Sequence, residues 1–276
     1  MRVRELLDVT ALWRAAEAYL SRDPANNTHQ LSAAKRIMEL GARYGERFFV
    51  VYTDATEREL VGSAIYVDSK ALFLAVMPPD AANALAQHLR DNDVRLTGAI
   101  GRHDVLASFT DAFARRFTTH VDLMLYQLMT APDYGRATGQ VRVATMHDLD
   151  LLVQWHREFE LEVGMVTVPT PLEERVALRI NNQQLVVWID ARRAVSAAGA
   201  NPLPAASARI GPVYTPPEQR GRGYAQAVTA AASEHVQRDG LRTVFLFTDA
   251  VNPASNKAYQ RIGFVHVADH AHVVFS

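Results

Sequence analysis

Apolar positions along the chain change period in a regular order. LDLLVQWHREFELEV, residues 149 to 163, spaces apolar residues by three and four, which predicts an amphipathic helix entered at Asp148. EERVALRI, after Pro171, predicts a second helix. QLVVWID, RAVSAAG and ARIGPVYT are short β-prone runs parted by turns. An Ala-rich helix is expected over 224 to 238, ended by Gly240, and RTVFLFTD then reads as a buried strand. ASNKAYQRI reads as a short helix stopped by Gly263, and FVHVADHAHVVFS as a final strand or hairpin. The first half follows the same order. FFVVY, LVGSAIYV and ALFLAV are expected strands, followed by DAANALAQHLRD, RLTGAIG, VLASFTDAFARRF and HVDLMLYQLM.

The two series share residues as well as order. Trp13, in a helix opened by Asp8, is answered by Trp155 after 142 positions. Val50-Val51-Tyr52 is answered by Val186-Val187-Trp188 after 136, and the valine of Ala75-Val76-Met77-Pro78-Pro79 by Val213 of Pro212-Val213-Tyr214-Thr215-Pro216-Pro217 after 137. Three matches in one order, at offsets differing by loop-sized amounts, indicate a tandem duplication. The fold class expected is α/β, with two similar mixed-sheet domains. Residues 1–130 and 141–276 are the domains, and APDYGRATGQ, 131–140, has the Pro and Gly of a linker.

Composition narrows the possible functions. At 276 residues, 49% hydrophobic, the chain can bury two cores of ordinary size. A net charge of -1 argues against generic nucleic-acid binding. No apolar run approaches the roughly 20 residues needed to span a bilayer. MRVRELLDVT has charges where a signal peptide needs an apolar centre, so a cytoplasmic location is expected. The lack of cysteine removes disulfides, thiolate metal sites and a cysteine nucleophile. His266, His270 and His272 have only Asp269 as a nearby acidic ligand, and read as surface histidines rather than a metal site.

The stretch QRGRGYA, 219 to 225, carries the candidate chemistry. Amides at a helix start have no intrahelical partner and a partial positive charge. Gly221 and Gly223 remove side chains that would keep an anion away, and Arg220 and Arg222 add formal charge suited to a pyrophosphate. The other reading is an exposed turn with solubilising arginines. Neither GxxxxGK[ST] nor GxGxxG with a following acid is present. Pro212 cannot donate to a ladder, so its strand is expected to bulge or part from a neighbour.

VYTPPEQRGRGYAQAV resembles the acetyl-CoA-binding core of the GNAT superfamily of N-acyltransferases, whose [QR]-x-x-G-x-[GA] pattern is fitted by Arg220 to Ala225. Asn252 to Phe264 resembles a second signature, N-x-x-[AS]-x-x-x-Y-x-x-x-G-F. The resemblance covers roughly 141 to 276. It implies that the amides of Arg220, Gly221, Arg222, Gly223, Tyr224 and Ala225, with the two arginines, hold the pyrophosphate of acetyl-CoA. It implies that Val213, Tyr214 and Thr215 pair with the pantetheine arm, and that Asn252 and Asn256 border it. Tyr259 stands where the family places the acid that protonates the leaving thiolate. Its other reading is a core tyrosine.

Two features depart from the family. After Pro79 the first half has Asp80 and no glycine, so it resembles a degenerate copy that does not use CoA. Family members often carry a base on the parted strand, but 208 to 213 offers none. Glu162 is the substitute candidate; with Glu158 it could equally form a solvated stripe. The function implied is acetyl transfer, without a metal, to a small-molecule or peptide amine. The alternatives are a non-catalytic acyl-CoA sensor, or a different acyl donor, as in the glycine N-acyltransferases.

Overall fold

The computed structural model describes residues 1–42, 45–67, 71–164 and 171–276. Each half traces the same path. The first runs β1 (Arg2–Leu6), α1 (Val9–Leu20), α2 (Thr28–Leu40), β2 (Arg47–Tyr52), β3 (Leu60–Tyr66), β4 (Leu72–Leu74), α3 (Pro79–Asp91), β5 (Gly98–Arg102), α4 (His103–Phe113) and β6 (Phe117–Leu128). The second runs β7 (Gln140–Val143), α5 (Leu149–Glu162), α6 (Leu172–Asn181), β8 (Leu185–Asp190), β9 (Arg193–Leu203), β10 (Ser207–Tyr214), α7 (Tyr224–Arg238), β11 (Thr243–Asp249), α8 (Pro253–Ile262) and β12 (Phe264–Phe275). The matched sequence pairs fall on matched elements: Trp13 and Trp155 on α1 and α5, Val50 and Val186 on β2 and β8.

Side-chain alternation explains why these strands are buried on both faces. In β2, Phe49 and Val51 point into a core under α3 and α4, while Phe48 and Val50 join one under α1 and α2. In β8, Val186 and Trp188 pack beneath α7, while Leu185 and Val187 pack beneath α5 and α6. Each such side chain contributes on the order of 1.5–3 kcal/mol when fully buried. The alanines of α7 (Ala227, Ala230, Ala231, Ala232) are buried and let that helix lie close to the sheet.

Among the described residues the twelve strands form one sheet, ordered β1-β2-β3-β4-β5-β12-β6-β11-β10-β9-β8-β7. Only β4–β5 and β10–β11 are parallel; these are the matched pairs of the two halves. The last strand of each half is exchanged. β12 of the second half lies against β5 of the first, and β6 of the first lies against β11 of the second. β6 and β12 also pair with each other along their length. The halves therefore share one sheet, a feature absent from the sequence reading. Gln140, the last residue of the expected linker, already begins β7, and that stretch is tied down by Tyr134, whose hydroxyl donates to Glu234 over 2.6 Å.

Candidate active site

The site begins where β10 and β11 part. Among the described residues they pair through Ser207–Arg209 and Thr243–Phe245, and no strand covers that side of β10 beyond Arg209. On the other edge the β9 register shifts between Ile210 and Val213, around the cis Gly211–Pro212 bond. The expected bulge and the expected parting are both present. The irregular carbonyls are satisfied locally: Asn201 Nδ2 donates to Arg209 O at 2.8 Å and Gly211 O at 2.6 Å, and Arg179 Nη2 donates to Gly211 O at 2.9 Å. A Cβ on Gly199 would collide with Arg179 Nη2 and Gly211 O, so that glycine makes the anchor possible. Downstream, Ser196 Oγ lies 2.9 Å from Tyr214 O and 2.8 Å from Thr215 Oγ1.

The parted segment separates two faces. Val213 packs with Tyr224 and Tyr259 against the core under α7 and α8. Tyr214 belongs to the opposite core, with Trp155 of α5, its ring 6.2 Å away.

Past Pro216 a short 3-10 turn leads to Gly221 (φ +77°) and Gly223 (φ +83°), the latter capping α7. Both glycines adopt the left-handed conformation that favours glycine. A Cβ on Gly221 would meet nothing within 4 Å, and one on Gly223 only Ala137, at 3.7 Å. Among the described residues the space beside both glycines is open. The first α7 bond runs from Ala227 N to Gly223 O, which leaves the amides of Tyr224, Ala225 and Gln226 without intrahelical partners. Tyr224 offers only its backbone, since its ring is buried and its hydroxyl donates to Asp190. Arg222 is exposed beside this turn.

Arg220 is turned away from the helix start. Its Nε donates to Thr215 O at 2.9 Å, its Nη2 to both Glu162 oxygens at 2.7 and 2.9 Å, and its guanidinium lies 5.8 Å from the Tyr214 ring centre. Glu162, the sequence candidate for the base, thus holds Arg220 in an ion pair across α5 and the parted strand. Glu158, its neighbour in the expected stripe, makes the closer contact with that strand. Glu158 Oε2 accepts from the Tyr214 hydroxyl at 2.8 Å, and Oε1 accepts from Gln154 at 2.8 Å. Burial, then donation to Glu158, push the Tyr214 phenol up to about 12. Both glutamates line a cavity of about 410 Å³ with Trp155, Leu161, Tyr214 and Pro217.

On the other face, Asn252 caps α8, its Oδ1 accepting from Ser255 N at 3.1 Å. Asn256 Nδ2 reaches Ala250 O at 3.4 Å, while its Oδ1 is buried without a protein partner. Tyr259 is half-buried, its ring edge-on to Phe264 at 6.2 Å. Burial pushes its hydroxyl up to about 12, with Ser255 opposing the shift. The three C-terminal histidines are not all on the surface as expected. His266 is exposed and pairs with Asp269 at 2.8 Å, but His270 is only 1% exposed and His272 half-buried. The exchange of β12 into the sheet centre buries them.

The first half closes the equivalent position with its own side chains. Val76, the counterpart of Val213, donates its amide to Asn27 Oδ1 at 2.9 Å and accepts at its carbonyl from Tyr19. Gln30 Nε2 donates to Phe73 O and Ser63 O. Asp80 lies in the first turn of α3. Neither Asn27 nor Tyr19 carried a signal in the sequence, because their targets lie 49 and 57 positions away.

A strand fork beside a glycine-bearing helix start defines the acyltransferase-type α/β class that the motifs resemble. Residues 149–264 match the model of the acetyltransferase (GNAT) family. The acetyltransferase from the GNAT family from Colwellia psychrerythraea is similar over 100% of this chain and 99% of its own, with a TM-score of 0.62 and 16% identity. The GCN5-related N-acetyltransferase from Sphaerobacter thermophilus covers 99% and 95%, with a TM-score of 0.62 and 15% identity. At such identities the likeness is one of fold, and it extends over both halves. Mycothiol acetyltransferase of Paenarthrobacter aurescens (strain TC1) is 44% identical over 59 residues, 20% of this chain and 18% of the relative. The Streptomyces coelicolor protein of that name is 38% identical over 63 residues, 22% and 20%. The matches span about a fifth of the length of these curated relatives. The GNAT-family match falls within the second half of the chain, whereas the likeness of fold covers both halves.

Proposed function

We propose that the chain is an N-acetyltransferase that moves an acetyl group from acetyl-CoA to a small-molecule or peptide amine in a ternary complex, at the fork of the second half. The observation that carries this reading is the division of the fork: Tyr259 on the face of Val213, and Glu158 and Glu162 on the face of Tyr214. The open space over Gly221 and Gly223, and the unpartnered Asn256 Oδ1, fit a phosphate-bearing, amide-bearing cosubstrate. In this reading the amides from Gly221 to Ala225 and Arg222 hold the pyrophosphate, and the uncovered edge at Val213–Thr215 receives the pantetheine arm. Acetyl-CoA supplies an activated thioester. Glu158 takes a proton from the acceptor ammonium, so that its lone pair is free to attack. Tyr259, kept protonated by burial, returns a proton to the departing thiolate. The sensor alternative rests on the absent base and the degenerate first half; Glu158 supplies a candidate for the base.

The test is release of CoA thiol, followed with a thiol-reactive chromophore, across a broad panel of amines. Release that requires both acetyl-CoA and an amine is expected. Tight CoA binding with no release from any amine would make the protein a sensor.

A further inference from the structure

The fork also carries two positive charges that no carboxylate answers among the described residues. Arg209 is the last residue at which β10 still pairs with β11. Its guanidinium has no hydrogen-bond or ion-pair partner among the described residues. Arg179 of α6 lies nearby: burial, then the charge of Arg209, then that of Arg175, hold it down to about 9. Among the described residues its hydrogen bonds go to neutral groups. Nη2 donates to Asn201 Oδ1 at 2.7 Å and Gly211 O at 2.9 Å, Nη1 meets His156 Nε2 at 3.1 Å, and the buried Nε has no partner. His156 adds no negative charge. Its Nδ1 sits 2.8 Å from Leu152 O, which can only accept, so Nδ1 carries the proton and Nε2 accepts from Arg179. Burial, with Arg179 second, keeps the ring neutral, its pKa down to about 4.

Two partly buried guanidinium groups beside each other repel, and a negative charge that joins them relieves the repulsion. Arg179 has a structural reason to be there, since it pins the bulge at Gly211. Arg209 has none.

We infer that the acceptor amine carries an anionic group, a carboxylate or a phosphate, and that Arg209, backed by Arg179, receives it. This rests on the acetyl-transfer reading of the fork. Guanidinium groups suit either anion by charge-assisted hydrogen bonds. The bulge sets Arg209 and Val213 opposite Asn201 and Ala198, three residues apart on β9, so roughly 10 Å separates them at about 3.3 Å per residue, and amine and anion lie at opposite ends of a small molecule. A short ω-amino acid, a dipeptide or a phosphorylated amino sugar has that form.

The experiment uses matched pairs that differ only in charge: γ-aminobutyrate and its amide, dipeptides with free and amidated C-termini, and glucosamine 6-phosphate and glucosamine. Steady-state thiol release is measured for wild type, Arg209→Gln and Arg209→Lys, with a CoA titration and a thermal melt of each. In at least one pair the charged member should have a kcat/KM at least tenfold higher, and that pair names the anion. Arg209→Gln should abolish the preference mainly through KM, and Arg209→Lys should keep part of it. CoA affinity should stay within about twofold, and the melting temperature of Arg209→Gln should not fall. Equal rates within every pair, or a preference that survives Arg209→Gln, would overturn the inference. If no amine is acetylated, the transfer reading fails and the anion site is judged by melting alone. Charged members that raise the wild-type melting temperature, but not that of Arg209→Gln, would still support it. Equal shifts or none would reject it.

Discussion

At the scale of single residues, the roles proposed for a phenol and a carboxylate at the fork can be separated by experiment. Tyr259 is proposed to act only as the thioester bond breaks, so Tyr259→Phe should leave the ground-state complex intact. A positioned general acid is typically worth about a hundredfold to ten-thousandfold. The expected result is a kcat loss of that size with CoA affinity within a few fold, measured by steady-state kinetics beside a CoA titration. A fall in melting temperature with kcat untouched would make Tyr259 a core residue. Its hydroxyl, pushed up to about 12, should also keep kcat from falling through the ordinary phenol range near pH 10. The two glutamates can be told apart in the same assay. Glu158 accepts from two neutral donors, Tyr214 and Gln154, whereas both oxygens of Glu162 are paired with the cation of Arg220. Glu158→Gln should therefore lower kcat by about a hundredfold, and Glu162→Gln by much less. The reverse order would return the base to Glu162.

At the scale of elements, much of the fold was legible because burial imposes periodicity. β2 and β8 bury both faces and so read as continuous apolar runs, and Gly263 and Asn252 mark the ends of α8 as local chemistry requires. The glycine-bearing start of α7 was equally plain, since left-handed residues before a helix are a local demand. What was not legible depends on partners distant in sequence. The orientation of Arg220 toward Glu162 spans 58 positions, and Glu158 meets Tyr214 across 56. The exchange of β6 and β12 left no trace, because two strands of similar pattern can trade places without changing any local preference. The two helix starts give the sharpest contrast between halves. In α7 the space over Gly223 is open, whereas α3 carries Asp80 in its first turn and Val76 is already satisfied by Asn27 and Tyr19. Gly223→Asp should thus abolish CoA binding in a folded protein. It blocks the amides, forces a side chain into φ +83°, and sets a carboxylate against phosphate at a cost on the order of 1–4 kcal/mol. Titration calorimetry on the full chain should give one CoA per wild-type chain and none for the variant. Two sites in the wild type would show that the first half is not closed.

At the scale of the whole molecule, the exchanged strands make the seam between halves part of the sheet, and histidines sit in that seam. His29 of α2 stacks on Phe247 of β11 with ring centres 4.6 Å apart. His270 of β12 meets Asn26 Oδ1 through Nε2 at 3.1 Å, while its Nδ1 and the Nε2 of His29 are buried without partners. Charging either ring puts a cation where water does not reach. Burial therefore lowers His29 well below its usual value and holds His270 and His272 down to about 4. For His270, Arg102 and His103 act in the same direction as burial, and Asp23 and Asp104 oppose them. The unfolded chain, with histidines near 6.5, binds more protons than the folded one between pH 6.5 and 4. Stability from these groups is complete above about pH 6.5 and is lost as the pH falls toward 4. The melting temperature should decline steadily over that window, before most carboxylates titrate. His270→Gln keeps a polar group for Asn26 but cannot take up the proton. Its stability should fall less steeply, by up to about 1.4 kcal/mol per pH unit. Thermal melts of both proteins at half-unit intervals from pH 7 to 4.5 measure the difference. Parallel curves would remove His270 from the acid response, and a flat wild-type curve would remove the seam histidines altogether.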